Sequence, residues 1–155
     1  MSYLTQKTIK RPVTFEGIAL HSGKNVNVCI KPANPDHGIV FKRIDIKNNN
    51  LIYPNFMNVT NTSLNTTVEN EFGIKVSTIE HLMGALFGMG IDNVLIEINN
   101  EEVPILDGSA KEFIREIMSS GFNISNKPIK IVKINKKIEY SDGERFISIE
   151  PSTLS

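Results

Sequence analysis

The chain has 155 residues, with 17 Lys plus Arg set against 17 Asp plus Glu, and a single cysteine. That length is near the size of one domain and can bury a core without disulfides. The charge balance leaves no basic surface for nucleic acid and no acidic tail. Cys29 alone excludes an intrachain disulfide framework and favours a reducing compartment; within an alternating strand it reads as packing rather than as a nucleophile. The N-terminus has no apolar core of signal-peptide length, and no run approaches the roughly 20 apolar residues of a membrane span. A cytoplasmic protein is expected, so the triplets Asn-x-Ser/Thr starting at Asn58, Asn61, Asn65 and Asn123 reflect abundant Asn and Thr rather than glycosylation.

Residues 3–31 read as strands. Val13, Phe15 and Gly17 alternate with Thr14, Glu16 and Ile18, and after the turn at His21-Ser22-Gly23-Lys24 the residues Val26, Val28 and Ile30 alternate with Asn27, Cys29 and Lys31. The pattern predicts a hairpin with one apolar face. Pro32 to Gly38 is a turn, Ile39–Arg43 a further strand, and Leu51–Phe56 an extended segment that Pro54 places at an edge. The first third is therefore expected to be a small antiparallel sheet. Residues 58–70, rich in Thr and Asn and uncharged until Glu69, form either an exposed Thr-rich hairpin or a strand pair lining a polar cleft.

A helix is predicted from Ser77, with Ile79, Leu82, Met83, Leu86 and Phe87 on one arc, and His81, Gly84, Ala85 and Gly88 on the opposite side. Gly88 and Gly90 end it. Asn93–Asn99 is a strand, and Val103–Leu106 an edge strand marked by Pro104. Asp107 opens a second helix, with Phe113, Ile114 and Ile117 as its stripe and Gly121 as its stop. From Ile129 the chain returns to strand, with Ile129, Ile131 and Lys133 opposing Lys130, Val132 and Ile134, and a turn at Ser141-Asp142-Gly143. This order predicts an α+β layer, two helices packed on one face of an antiparallel sheet.

Ser77-x-x-Glu80 and Ser109-x-x-Glu112 both read as capping boxes, in which the Ser oxygen accepts the N3 amide and the Glu carboxylate reaches back to the N-cap amide. Glu80 taken alone is then a cap, and His81 taken alone a surface histidine. Together they offer more. A helix N-terminus disfavours imidazole protonation and keeps a nitrogen lone pair available for zinc, and a carboxylate one residue away points about 100° round the helix, within reach of a zinc-bound water. A zinc site needs three protein ligands, however, and the other histidines, His21 and His37, lie in turns outside any metal-binding spacing.

Four runs carry a resemblance: Gly17-Ile18-Ala19-Leu20-His21-Ser22-Gly23-Lys24, Ser77-Thr78-Ile79-Glu80-His81-Leu82, Gly90-Ile91-Asp92-Asn93 and Val103-Pro104-Ile105-Leu106-Asp107-Gly108-Ser109-Ala110. In this order they resemble the N-terminal half of the UDP-3-O-acyl-N-acetylglucosamine deacetylases, zinc amidases of lipid A biosynthesis in Gram-negative bacteria. The resemblance implies two similar α+β domains (ribosomal protein S5 domain 2-like), their helices sandwiched between the sheets, each with an insert bordering the active site. On that basis residues 1–127 form the first domain, with its insert at about 51–75, and residues 128–155 the opening strands of an incomplete second domain.

Carried onto this chain, the resemblance implies Glu80 as general base, His81 as one zinc ligand, and Thr62 of the insert as a substrate-binding residue. Zinc and Glu80 together would activate a water to attack the acetamide carbonyl of UDP-3-O-acyl-N-acetylglucosamine, releasing acetate. The family's other ligands, on a helix of the form H-K-x-x-x-D, and its second catalytic His belong to the second domain and are absent from these 155 residues. The zinc site is thus incomplete, the missing C-terminal domain is the expected partner, and the isolated chain is expected to be inactive. The alternative is a non-catalytic α+β binding or interaction module, in which Glu80 is only a cap.

Overall fold

Alternating apolar residues decide which face of each strand is buried, and the strands assemble accordingly in a computed structural model that describes residues 4–152. In chain order these are β1 (Thr5–Ile9), β2 (Val13–Ile18), β3 (Asn25–Pro32), β4 (Ile39–Arg43), β5 (Leu51–Ile52), β6 (Val59–Asn61), β7 (Thr67–Glu69) and β8 (Lys75–Val76). Helix α1 (Glu80–Gly88), β9 (Val94–Ile98), α2 (Lys111–Ser120), β10 (Phe122–Pro128), β11 (Ile138–Asp142) and β12 (Arg145–Ile149) follow. The architecture is α+β, as expected.

The main sheet has the order β2-β3-β9-β4-β5. Strands β2 and β3 pair antiparallel from Val13↔Ile30 to Ile18↔Asn25, as the alternation predicted, and Val26, Val28 and Ile30 are buried. The sheet is not wholly antiparallel. β4 runs parallel to β9, from Ile39↔Val94 to Arg43↔Ile98, because the connection between them includes the insert and α1, and a long crossover containing a helix is what a parallel pair requires. β5 is the short edge strand. Residues 103–106 form no strand: they make an isolated bridge, Ala19↔Pro104, with an Ile105 amide bond to the Ile18 carbonyl. They pack so closely that a Cβ on Gly17 would stand 3.1 Å from Pro104 and Leu106 side-chain atoms, so glycine is needed where the backbones approach.

Both helices cover the buried face. Leu82, Ala85 and Leu86 of α1 and Phe113 and Ile117 of α2 are fully buried, and the Phe113 ring lies 4.9 Å from Phe15 of β2. The apolar arc of α1 differs from the predicted one, since Ala85 is core and Phe87 is 88% exposed. The helix starts three residues later than Ser77 and brings Ala85 into the core, while Gly84 and Gly88 stay exposed. Phe87, about 160° round from Ala85 at 100° per residue, faces solvent.

Strand β1 pairs with β10, and the Gly90–Asn93 run fastens that ladder to the rest. The Lys7 amide donates to Asp92 Oδ2 at 2.7 Å, while Asn93 donates to Gln6 Oε1 and accepts the Gly38 amide. Residues 131–134 form no strand, and Ile131 and Val132 are exposed. Strands β11 and β12 form a hairpin exposed throughout. Its turn is Gly143-Glu144, one step later than expected, because pairing continues to Asp142↔Arg145 and Gly143 supplies the left-handed φ of 59°.

Candidate active site

The entry into α1 departs from a capping box. The Ser77 amide donates to the Glu101 carbonyl at 2.8 Å, the Val103 amide donates to the Ser77 carbonyl, and Ser77 Oγ donates to Glu101 O. Ser77 is therefore tied to a parallel bridge with Glu102. Thr78 then takes φ 56°, which separates Ser77 from the helix, and no side chain caps α1. At α2 the box is also altered. Ser109 Oγ accepts the Lys111 amide at 3.1 Å, but the Ser109 amide goes to Asp107 Oδ1, not to Glu112. Asp107 is held below the usual carboxylate range by the Ser109 hydroxyl first and the Ser109 amide second.

Freed from capping, Glu80 turns to the insert. Its Oε2 accepts the Thr66 amide at 3.1 Å, and Oε1 has no partner among the described residues. His81 follows it in the first turn of α1, and both side chains are half-buried.

The insert is the three-stranded sheet β6-β7-β8. Arg43 anchors it: the guanidinium donates to both Asp45 oxygens at 2.7 and 2.8 Å and to the Lys75 carbonyl at 2.9 Å. Of the two possibilities for this Thr-rich stretch, its strands border a polar cleft of about 250 Å³ lined by His21, Ser22, Asn61, Asn65, Thr67 and Lys75, among others, while residues 60–64 remain exposed. Thr62 stands in that exposed loop, and the insert's contact with Glu80 comes from Thr66. A larger hollow of about 570 Å³ lies along Asn49–Tyr53 and Asn70–Phe72. Its amide groups are spent on the loops themselves, with Asn70 donating to the Asn49 and Leu51 carbonyls and Asn50 to those of Arg43 and Ile46.

Sequence reasoning missed Glu102, whose carboxylate is 2% exposed. It accepts the His21 and Ser22 amides, both at 2.9 Å, and the Thr78 hydroxyl at 3.1 Å. Burial pushes its proton affinity up, but the bonds from His21, Ser22 and Thr78 outweigh it, and the carboxyl sits below its usual 4.5. A depressed carboxylate contributes stability above its unfolded value, and that stability is lost as pH falls through the folded value. Thermal denaturation between pH 7 and 3 should accordingly show wild type losing Tm below about pH 4.5 more steeply than Glu102→Gln. Asp45, bonded by Arg43, and Glu97, bonded by Lys31, are also depressed, and they act equally in both proteins.

The donor set does not complete a metal site. Among the described residues no three His, Cys, Asp or Glu side chains gather where they could hold an ion, whereas zinc in a catalytic site takes three protein ligands. His81 fits as one ligand and not as a site. Among the described residues no helix is long and apolar enough to cross a membrane.

An α+β domain that presents a carboxylate and an imidazole side by side at a helix start, against a polar insert, has the form of one part of a hydrolytic site. The family is more specific. The model of the UDP-3-O-acyl N-acetylglycosamine deacetylase family matches residues 6–155, and the chain belongs to that family.

Proposed function

We propose that the chain is the N-terminal part of a zinc-dependent hydrolase of the cytoplasm that removes the N-acetyl group from UDP-3-O-acyl-N-acetylglucosamine, with Glu80 as general base. His81 holds the zinc through a neutral ring nitrogen, and a second domain, opened by residues 128–155, supplies the other ligands. Thr62, in the exposed loop of the insert, contacts substrate. The observation that supports this reading best is the disposition of Glu80: one oxygen is fixed by the Thr66 amide, and the other has no partner among the described residues.

The chemistry assigned to Glu80 is a proton transfer. As a water oxygen bonds to the acetamide carbon, Glu80 Oε1 takes the water proton, and it returns that proton to the sugar nitrogen as the C–N bond breaks. The products are the free amine and acetate. With one metal ligand of its own, the purified chain is expected to bind zinc weakly or not at all and to release no acetate from the sugar nucleotide. Zinc titration calorimetry and an acetate assay test this; tight one-to-one zinc with measurable acetate release would overturn it.

A further inference from the structure

Glu102 is the only buried carboxylate among the described residues, and no cation pairs with it there. Two loops close on it instead. The His21-Ser22 turn donates both of its amides, and Thr78 donates its hydroxyl. Thr78 is itself unusual. It is 3% exposed and β-branched, yet its φ of 56° lies in the left-handed region that such residues rarely enter. A strained residue of this kind persists only where its surroundings hold it. It stands two residues before Glu80, at the bend where the chain leaves β8 and enters α1.

We propose that Glu102 is a positioning residue for Glu80 and His81: by gripping the Thr78 hydroxyl it keeps Thr78 left-handed, and that bend sets the direction in which the first turn of α1 meets the insert. The inference rests on Glu80 and His81 being the site, and adds what aims it. The Glu80–Thr66 bond spans α1 and the insert, so its survival reports whether the first turn is correctly aimed.

The test is amide hydrogen exchange followed by NMR on this chain, with Thr66 as the reporter. In Glu102→Ala, the acceptor of both turn amides and of the Thr78 hydroxyl is gone; exchange at Thr66, His21 and Ser22 is expected to rise at least tenfold. Adding Thr78→Gly supplies a residue that adopts positive φ without a clamp. In Glu102→Ala/Thr78→Gly, exchange at Thr66 is expected to return to within about twofold of wild type, while His21 and Ser22 stay fast. Unchanged exchange at Thr66 in the single variant, or failure of glycine to restore it, would overturn the proposal.

If Glu102→Ala does not fold, Thr78→Val decides. It removes only the hydroxyl donor, and faster exchange at Thr66 supports the clamp while unchanged exchange refutes it. The reporter reads geometry, not turnover. A complete enzyme indifferent to Glu80 would therefore sink the proposed function and leave this result standing, and the reverse also holds.

Discussion

Glu80→Gln, made in this chain joined to a complete second domain, is expected to lower the deacetylation rate by about 10²–10⁴-fold, the usual contribution of a positioned general base. At about 1.4 kcal/mol per decade that is roughly 3–5 kcal/mol of transition-state stabilisation. The effect on folding should be far smaller. Glu80 caps nothing: α1 has no side-chain cap, and the one bond its carboxylate makes, to the Thr66 amide, is one that a glutamine carbonyl can also accept. What remains is the favourable placement of a negative charge at the helix start, worth about 0.3–1 kcal/mol. Steady-state rates and denaturant titration of the same variant separate the two effects. A stability loss as large as the rate loss would make Glu80 a structural residue after all, and an unchanged rate would favour the non-catalytic binding module.

The distance between these outcomes follows from what was legible in the sequence. The β2–β3 hairpin and β9 could be read from alternation because a period of two is a local signal. The helices could be read as helices, but the start of α1 could not. Ser77-x-x-Glu80 has the spacing of a capping box, and nothing near it announces that Thr78 takes a positive φ, because the group that holds Thr78 is Glu102, 24 positions away. The partner of Glu80 was hidden for a different reason. It is the backbone amide of Thr66, and a backbone donor leaves no trace in residue type. The parallel pairing of β4 with β9 depends on the path of the intervening insert and helix, which no strand pattern specifies. The adjacent carboxylate and imidazole at a helix start marked Glu80 and His81 as the residues of interest, and resemblance supplied their roles; the tertiary contacts say how they are held.

Phe113→Ala is expected to destabilise the chain by about 3–5 kcal/mol, as is usual for truncating a buried phenylalanine, whereas Phe87→Ala should stay within about 0.5 kcal/mol, as is usual at the surface. Both phenylalanines lie on helices, and the apolar arcs read from sequence included both. Burial separates them, because Phe113 is fully enclosed and stacked at 56° on Phe15, while Phe87 is 88% exposed. Removing Phe113 empties the space between α2 and edge strand β2, and the cavity adds to the lost transfer energy. Against a total stability of about 5–15 kcal/mol for a domain, such a loss would populate unfolded chains at ordinary temperature. Urea titration of both variants checks the contrast. Equal costs would mean that Phe87 is covered in solution, and the side of α1 that carries it, with Gly84 and Gly88 also exposed, would then count as a packed surface.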